Sequence, residues 1–434
     1  MNVMEDFKGK KLLILGGGDK WDQTTEVDLV RYAHEMGLYA IVTDSQADWN
    51  KVPAKFEADE AWDISWSDTE TLARLCREKG IDGVIAGFSE RKVMCAGRLA
   101  HELGMPFYTD GADLETIFNK SLFKEACRNA GVDVPRSFDV DGDIIFPVVV
   151  KPVDNAGGRG MSICRNREEL SEGIAKAMQF SDASTPEIEE FVEGLEVFVY
   201  YIVRNGVPTF SMASEIATMR DSERGMPYHV ANRFPSHQIE RIRRECDEAF
   251  VRLIRSLGIQ NGYIGLQCFV TDDRVMVHDP TFRIDGANDH EVAKMITGAS
   301  DVEFYIAHAL TGTFGTQEDA GKLHYRSDWP IFIQVGSILG PGIIGEFSGL
   351  DDVANIDGVY EVEQVRRVGD EMKLATSTLS QIGAQIKLQA PDSQTLRVRL
   401  QEVFDAISVK DVNGADMVVP LNLDELAFGK TQDK

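Results

Sequence analysis

Apolar positions along this chain follow two alternating rhythms. Leu12–Leu15, Tyr39–Thr43 and Gly83–Ala86 are short unbroken runs, the length of buried strands. Between them, residues 26–36, 69–79 and 90–103 repeat their apolar positions every three or four residues and stop at Gly37, Gly80 and Gly104, which predicts helices closed by glycine. This alternation over residues 11–110 predicts a parallel sheet covered on both faces. Gly16-Gly17-Gly18 follows the first strand, where such sheets meet ligands, but no GxGxxG completes it and a tight turn explains it about as well. Asp44, at the end of the second strand, stands where a ribose contact would, a weak signal without that fingerprint.

The pattern then changes. A helix runs from Phe118-Asn119-Lys120 to Ala130 and stops at Gly131; Lys120 lies in its first turn, where a cation opposes the macrodipole. Pro147–Val150 reads as a buried strand ended by Lys151, and the loop that follows, Asp154 to Gly160, carries Gly157, Gly158 and Gly160. A cation beside a loop whose amides can approach an anion is a phosphate site. A glycine-rich hairpin with a surface lysine is the rival reading. Asn166 opens a helix, Glu187 to Glu190 form an acidic stretch that a solvated edge would explain, and Val197–Val203 is strand-like.

A long helix from Ser236 to Leu257 precedes two strands, 262–270 and 274–279, that turn at Asp272-Asp273 into a hairpin. The hairpin carries Gln267 and, at its far end, Asp279, Thr281 and Arg283; oxygen donors of this kind suit magnesium. Asp285 and Asp289 read as loop and helix-cap residues. Helices follow at 291–296 and 302–310. From Pro330 the chain becomes short strands and turns, which places a boundary near residue 328 and a small α+β domain after it.

A length of 434 residues allows two or three domains. The net charge of −26 argues against non-specific binding to nucleic acid or to an anionic membrane, and requires any anionic substrate to meet a local basic pocket. Six scattered cysteines without a CxxC pair point to reduced thiols and a cytoplasmic setting. The run Leu12–Leu15 is too short for a signal sequence or a membrane span.

Lys120, Lys151 with its glycine loop, the segment Glu189-Glu190-Phe191-Val192, Glu196 and the hairpin from Gln267 to Arg283 together resemble the ATP-grasp superfamily over roughly residues 118–312. The flanking parts resemble those of carboxylate–amine ligases, including the L-amino acid ligases. The resemblance implies an N-terminal α/β domain over 1–112, an ATP-grasp domain over 113–328 with a mobile lid at about 140–205, and a C-terminal α+β domain over 329–434. It implies ATP as cofactor with magnesium, or manganese in its place. Lys120 and Lys151 would hold phosphates, with Gly157, Gly158 and Gly160 closing over them. The backbone of Glu189, Glu190, Phe191 and Val192 would read adenine, and Glu196 would hold the ribose.

Gln267 and Asp279 would hold the metal, and Arg283, with Lys151, would act on the reacting groups. The sequence departs from the family's pattern: glutamine replaces the first glutamate, as in carbamoyl phosphate synthetases, and Asp279-Pro280-Thr281-Phe282-Arg283 replaces ExNxR. One tightly held ion, or weaker metal binding, is the expectation. Arg220, His229 and Arg233 lie where such enzymes place cations near the transferring phosphate, though surface positions explain them nearly as well. The expected activity is ligation of a small carboxylate to an amine through an acyl phosphate, releasing ADP and phosphate, with a homodimer among the expected states. A bicarbonate-phosphorylating enzyme and a non-catalytic nucleotide-binding protein stand as alternatives.

Overall fold

A computed structural model describes residues 7–18, 24–152, 160–180, 186–220, 227–284, 289–373 and 381–429. The N-terminal part is the expected parallel sheet. Strands β1 (Lys11–Leu15), β2 (Tyr39–Thr43), β3 (Glu60–Trp62) and β4 (Gly83–Ala86) lie in the order β3-β2-β1-β4, all parallel. β3 escapes a reading by periodicity because only Trp62 of its three residues is buried. Helix Thr69–Lys79 starts on Asp68 and helix Glu90–Leu103 on Ser89, each cap accepting from a backbone amide. Both end at glycines in the left-handed region, Gly80 and Gly104, where a side chain would be strained. Asp44 accepts from the amide of Gly17 at 3.3 Å and so pins the glycine turn above β1.

A small second layer follows. β5 (Val148–Lys151) is the centre of a sheet ordered β6-β5-β7, with β6 at Ser162–Cys164 and β7 at Glu187–Glu190. Helix Arg167–Ala177, capped by Asn166, packs on it, and Val148, Val150, Cys164, Leu170, Ala177 and Ile188 make its own core. This is the segment read as a lid.

The remaining framework is one continuous sheet of eight strands, β12-β11-β8-β9-β10-β13-β17-β15. Its members are β8 (Leu195–Arg204), β9 (Val207–Arg220), β10 (Pro227–Phe234), β11 (Gly262–Val270), β12 (Val275–Thr281), β13 (Ile331–Ile338), β15 (Val359–Gln364) and β17 (Ile382–Ala390). The composition change near residue 328 falls just before β13, and β13 hydrogen-bonds to β10 across it. A separate sheet, β16-β14-β18, joins β14 (Gly342–Ser348) to β16 (Glu371–Met372) and β18 (Ser408–Asp411). The mixed α/β and α+β class expected from the sequence is the class observed.

Candidate active site

The helix Lys120–Asn129, strands β5 and β7 and the β11–β12 hairpin converge on one cluster of charged side chains. The helix Lys120–Asn129 starts on Asn119, whose side chain accepts from the amides of Ser121 and Leu122. That cap fixes the first turn and therefore Lys120, and places Lys124 one turn further along the same face. β5 delivers Lys151 at its end, and β7 pairs with it so that Lys151 opposes Glu187 and Val149 opposes Glu189. The β11–β12 hairpin sets Gln267 opposite Asp279.

Lys151 Nζ lies 2.6 Å from Glu189 Oε2 and 3.3 Å from Glu187 Oε2. Lys124 pairs with the same two carboxylates. The side chains of Lys124, Glu187 and Glu189 are 2%, 9% and 5% exposed, so the solvated-edge reading of the acidic stretch is overturned: these are buried counter-ions. Burial, helped by Lys124 and Lys120, outweighs Glu187 and brings the Lys151 ammonium down to about 8. Burial raises the Asp279 carboxyl against the pull of Lys120, Lys151 and Lys124. Asp279 and the carboxamide oxygen of Gln267 are oxygen donors of the kind a small hard cation takes, and the charge of a bound polyphosphate would offset the surrounding lysines. Gln267 Nε2 donates to Thr281 Oγ1 at 3.2 Å, which orients that carboxamide.

Glu196 stands on β8 beside β11. Burial and the nearby Asp279 raise its carboxyl to about 7. His278 Nε2 is 3.7 Å from Glu196 Oε1, and the imidazole stacks on Phe269 with centroids 4.2 Å apart and planes at 17°. Burial and the three lysines push His278 down to about 3, so the ring is neutral where it lies against Phe269. Arg283 places its guanidinium 4.0 Å over the Phe88 ring, and Glu90, in the first turn of the next helix of the N-terminal part, is within electrostatic reach of Arg283, Asp279 and Lys120. The N-terminal sheet thus contributes to the same cleft from its carboxyl edge.

The segment expected from the resemblance to read adenine is tightly held. The amide of Glu190 donates to the carbonyl of Arg136 at 2.8 Å and that of Phe191 to Pro147 at 3.1 Å. Glu190 Oε1 accepts from the amide of Arg136 and from Arg274, whose guanidinium also grips Asp133 at 2.8 and 3.2 Å. Gly160 has φ +77°, and an added Cβ would meet Pro152 at 2.9 Å. Gly157 and Gly158 lie outside the described residues, as do Asp285 and the side chain of Arg220. Arg233 is buried rather than on the surface, its Nη1 donating to the carbonyl of Pro235 with Glu215 nearby. Burial lowers His229.

Residues 119–317 match the family model described as the carbamoyl-phosphate synthase L chain, ATP binding domain. This segment is an ATP-grasp domain. ATP and magnesium are the usual cofactors of ATP-grasp domains, whose enzymes are ATP-dependent ligases. Over 449 aligned residues the chain is 24% identical to uncharacterized protein y4rH of Sinorhizobium fredii, covering 96% of this chain and 87% of that one. It is 30% identical over 176 residues to the carbamoyl phosphate synthase large chain of Archaeoglobus fulgidus, covering 36% of this chain and only 16% of that much longer one. An L-amino acid ligase from Bacillus licheniformis superposes with a TM-score of 0.73 at 19% identity, over 93% of this chain and 99% of that one. Lys124, Glu187 and His278 were not singled out in the sequence. The spacing of Lys124 four residues after Lys120, and the place of His278 beside Asp279, were the available signals.

Among the described residues no helix is long and apolar enough to cross a membrane.

Proposed function

We propose that the chain is an ATP-dependent carboxylate–amine ligase that forms an amide through an acyl phosphate and releases ADP and phosphate. The observation that carries this reading is the gathering of Lys120, Lys124 and Lys151 around Asp279 in a chain whose net charge is −26. Glu187 and Glu189 balance Lys124 and Lys151, and a polyanion that the rest of the surface repels would compete with these carboxylates for the more accessible Lys151. Lys120 and Lys151 bind the phosphates, Glu196 accepts from ribose hydroxyls, and the His278–Phe269 stack supports the base. Gln267 and Asp279 would hold magnesium, which neutralises phosphate charge when bound.

Catalysis in such a cleft is positioning and charge stabilisation. The acceptor carboxylate is drawn to Arg283, whose guanidinium lies over the Phe88 ring and would face the developing charge on the transferring phosphoryl group and then on the tetrahedral oxyanion. The small β6-β5-β7 layer shields the acyl phosphate from water. Gln267, which supplies an oxygen without a charge, favours a second reading in which bicarbonate is the phosphorylated acid. Incubation with ATP, magnesium, a panel of small carboxylates or bicarbonate, and hydroxylamine tests both. A hydroxamate with equimolar ADP from an organic acid supports the ligase, bicarbonate-dependent ADP release supports the second reading, and AMP formation refutes both.

A further inference from the structure

The four charges formed by Lys124, Lys151, Glu187 and Glu189 contain one more cation than phosphate binding needs. Lys124 is buried on the helix face below Lys120 and engages both glutamates of β7, while Lys151 engages the same two from β5. Two lysines and two carboxylates balance. Lys151, with 18% of its side chain exposed, has access to the cleft; Lys124, with 2%, does not. When Lys151 turns toward a nucleotide it leaves its carboxylates behind. With Lys124 in place the remainder is one cation against two anions. Without it, two bare carboxylates would stand in low dielectric beside a polyphosphate, and Lys151 would be held back as their sole partner.

We propose that Lys124 is a positioning residue of the nucleotide site, a resident counter-ion that keeps Glu187 and Glu189 paired so that Lys151 can be transferred to the phosphates of ATP. The inference rests on the reading of Lys151 as a phosphate ligand. The charged and titratable groups facing Lys151 are consistent with this exchange: Glu187 and Glu189 from β7, Lys124 and Lys120 from the helix, and Asp279 and His278 from β12. Glu187 remains below its usual range despite burial because both Lys151 and Lys124 act on it, so it is anionic and needs a partner whichever lysine leaves.

Calorimetric binding of the non-hydrolysable analogue AMP-PNP with magnesium to the full chain tests the inference at pH 6.5, below the point near 8 at which Lys151 loses its proton. Lys124→Met should weaken binding at least about tenfold, because Lys151 is then the sole partner of two buried carboxylates. Lys124→Met/Glu187→Gln removes one cation and one anion together and should restore affinity to within about threefold of the parent, whereas a packing role for Lys124 predicts no recovery. Glu187→Gln alone preserves shape and folding and should bind as tightly as the parent or more tightly, because Lys151 is less restrained. It keeps the test open if Lys124→Met does not fold. Wild-type affinity in folded Lys124→Met, absence of recovery in the double variant, or weaker binding by Glu187→Gln would each overturn the inference. Lys151→Met separates it from the reading beneath: full affinity in that variant refutes the phosphate site itself, while loss of binding there with none in Lys124→Met refutes only the role of Lys124.

Discussion

Raising the pH should release ATP from this protein, and the cleft sets the size of the effect. The Lys151 ammonium loses its proton near pH 8 in the nucleotide-free chain, below the ordinary lysine range, because burial disfavours its charge. Phosphate oxygens bind only the protonated form, so bound nucleotide drives that pKa back up. Affinity is therefore level below about pH 8 and falls as pH rises through it, approaching tenfold per unit where one proton is linked to binding. Between pH 7.5 and 9.0, where the phosphates are already ionised, the fall comes to about eightfold, or about 1.2 kcal/mol. Isothermal titration with magnesium and AMP-PNP across that window measures it, with Lys151→Met as the control that should be weak and nearly flat. A wild-type affinity that does not change from pH 7.5 to 9.0 would refute the assignment of Lys151 as a desolvated phosphate ligand.

Three further outcomes follow from neighbouring contacts. Gln267→Glu should tighten magnesium in the nucleotide complex, because it adds a charge beside Asp279; nucleotide-free wild type should bind the ion poorly, and micromolar calorimetric binding without nucleotide would contradict the proposed ligand pair. Arg274→Met cuts the clamp from Asp133 to Glu190; as the guanidinium is about one-third exposed, the stability loss should be only about 1–2 kcal/mol in urea unfolding, accompanied by weaker ATP binding, and an unchanged nucleotide affinity would detach the clamp from the adenine segment. Gly160→Ala forces a side chain into a φ of +77° against Pro152 and Phe180 and should cost about 1–2 kcal/mol of stability, visible as a lower melting temperature; an unaltered melting curve would mean the turn relaxes freely.

Much of the candidate site was legible as individual residues and little of it as contacts. Lys151 is marked by its place between an apolar run and a glycine loop, and Asp279 and Arg283 by their place at the end of a hairpin, because local spacing carries those signals. Glu187 and Glu189 read as surface acids, since charge in a short segment is normally solvated. Their partner Lys124 lies 63 residues from Glu187, and no local rule links residues so far apart. His278 was missed for a similar reason: it is kept neutral by burial in the folded chain and by lysines that come from the helix Lys120–Asn129 and from β5.

The linear order of apolar and polar residues was enough to determine the N-terminal α/β alternation, the β11–β12 hairpin and the ends of the longer helices before residue 328, because periodicity, caps and glycine stops act within a few residues. The joining of β13 to β10 across the compositional break near residue 328 was decided only in three dimensions, since strand order in a sheet depends on which edges remain free once the earlier strands have paired. The ionic state of the cleft was decided there too. Whether Lys151, Glu196 and His278 carry charge depends on burial and on cations and carboxylates brought from four separate elements, and those distances exist only after the chain has folded.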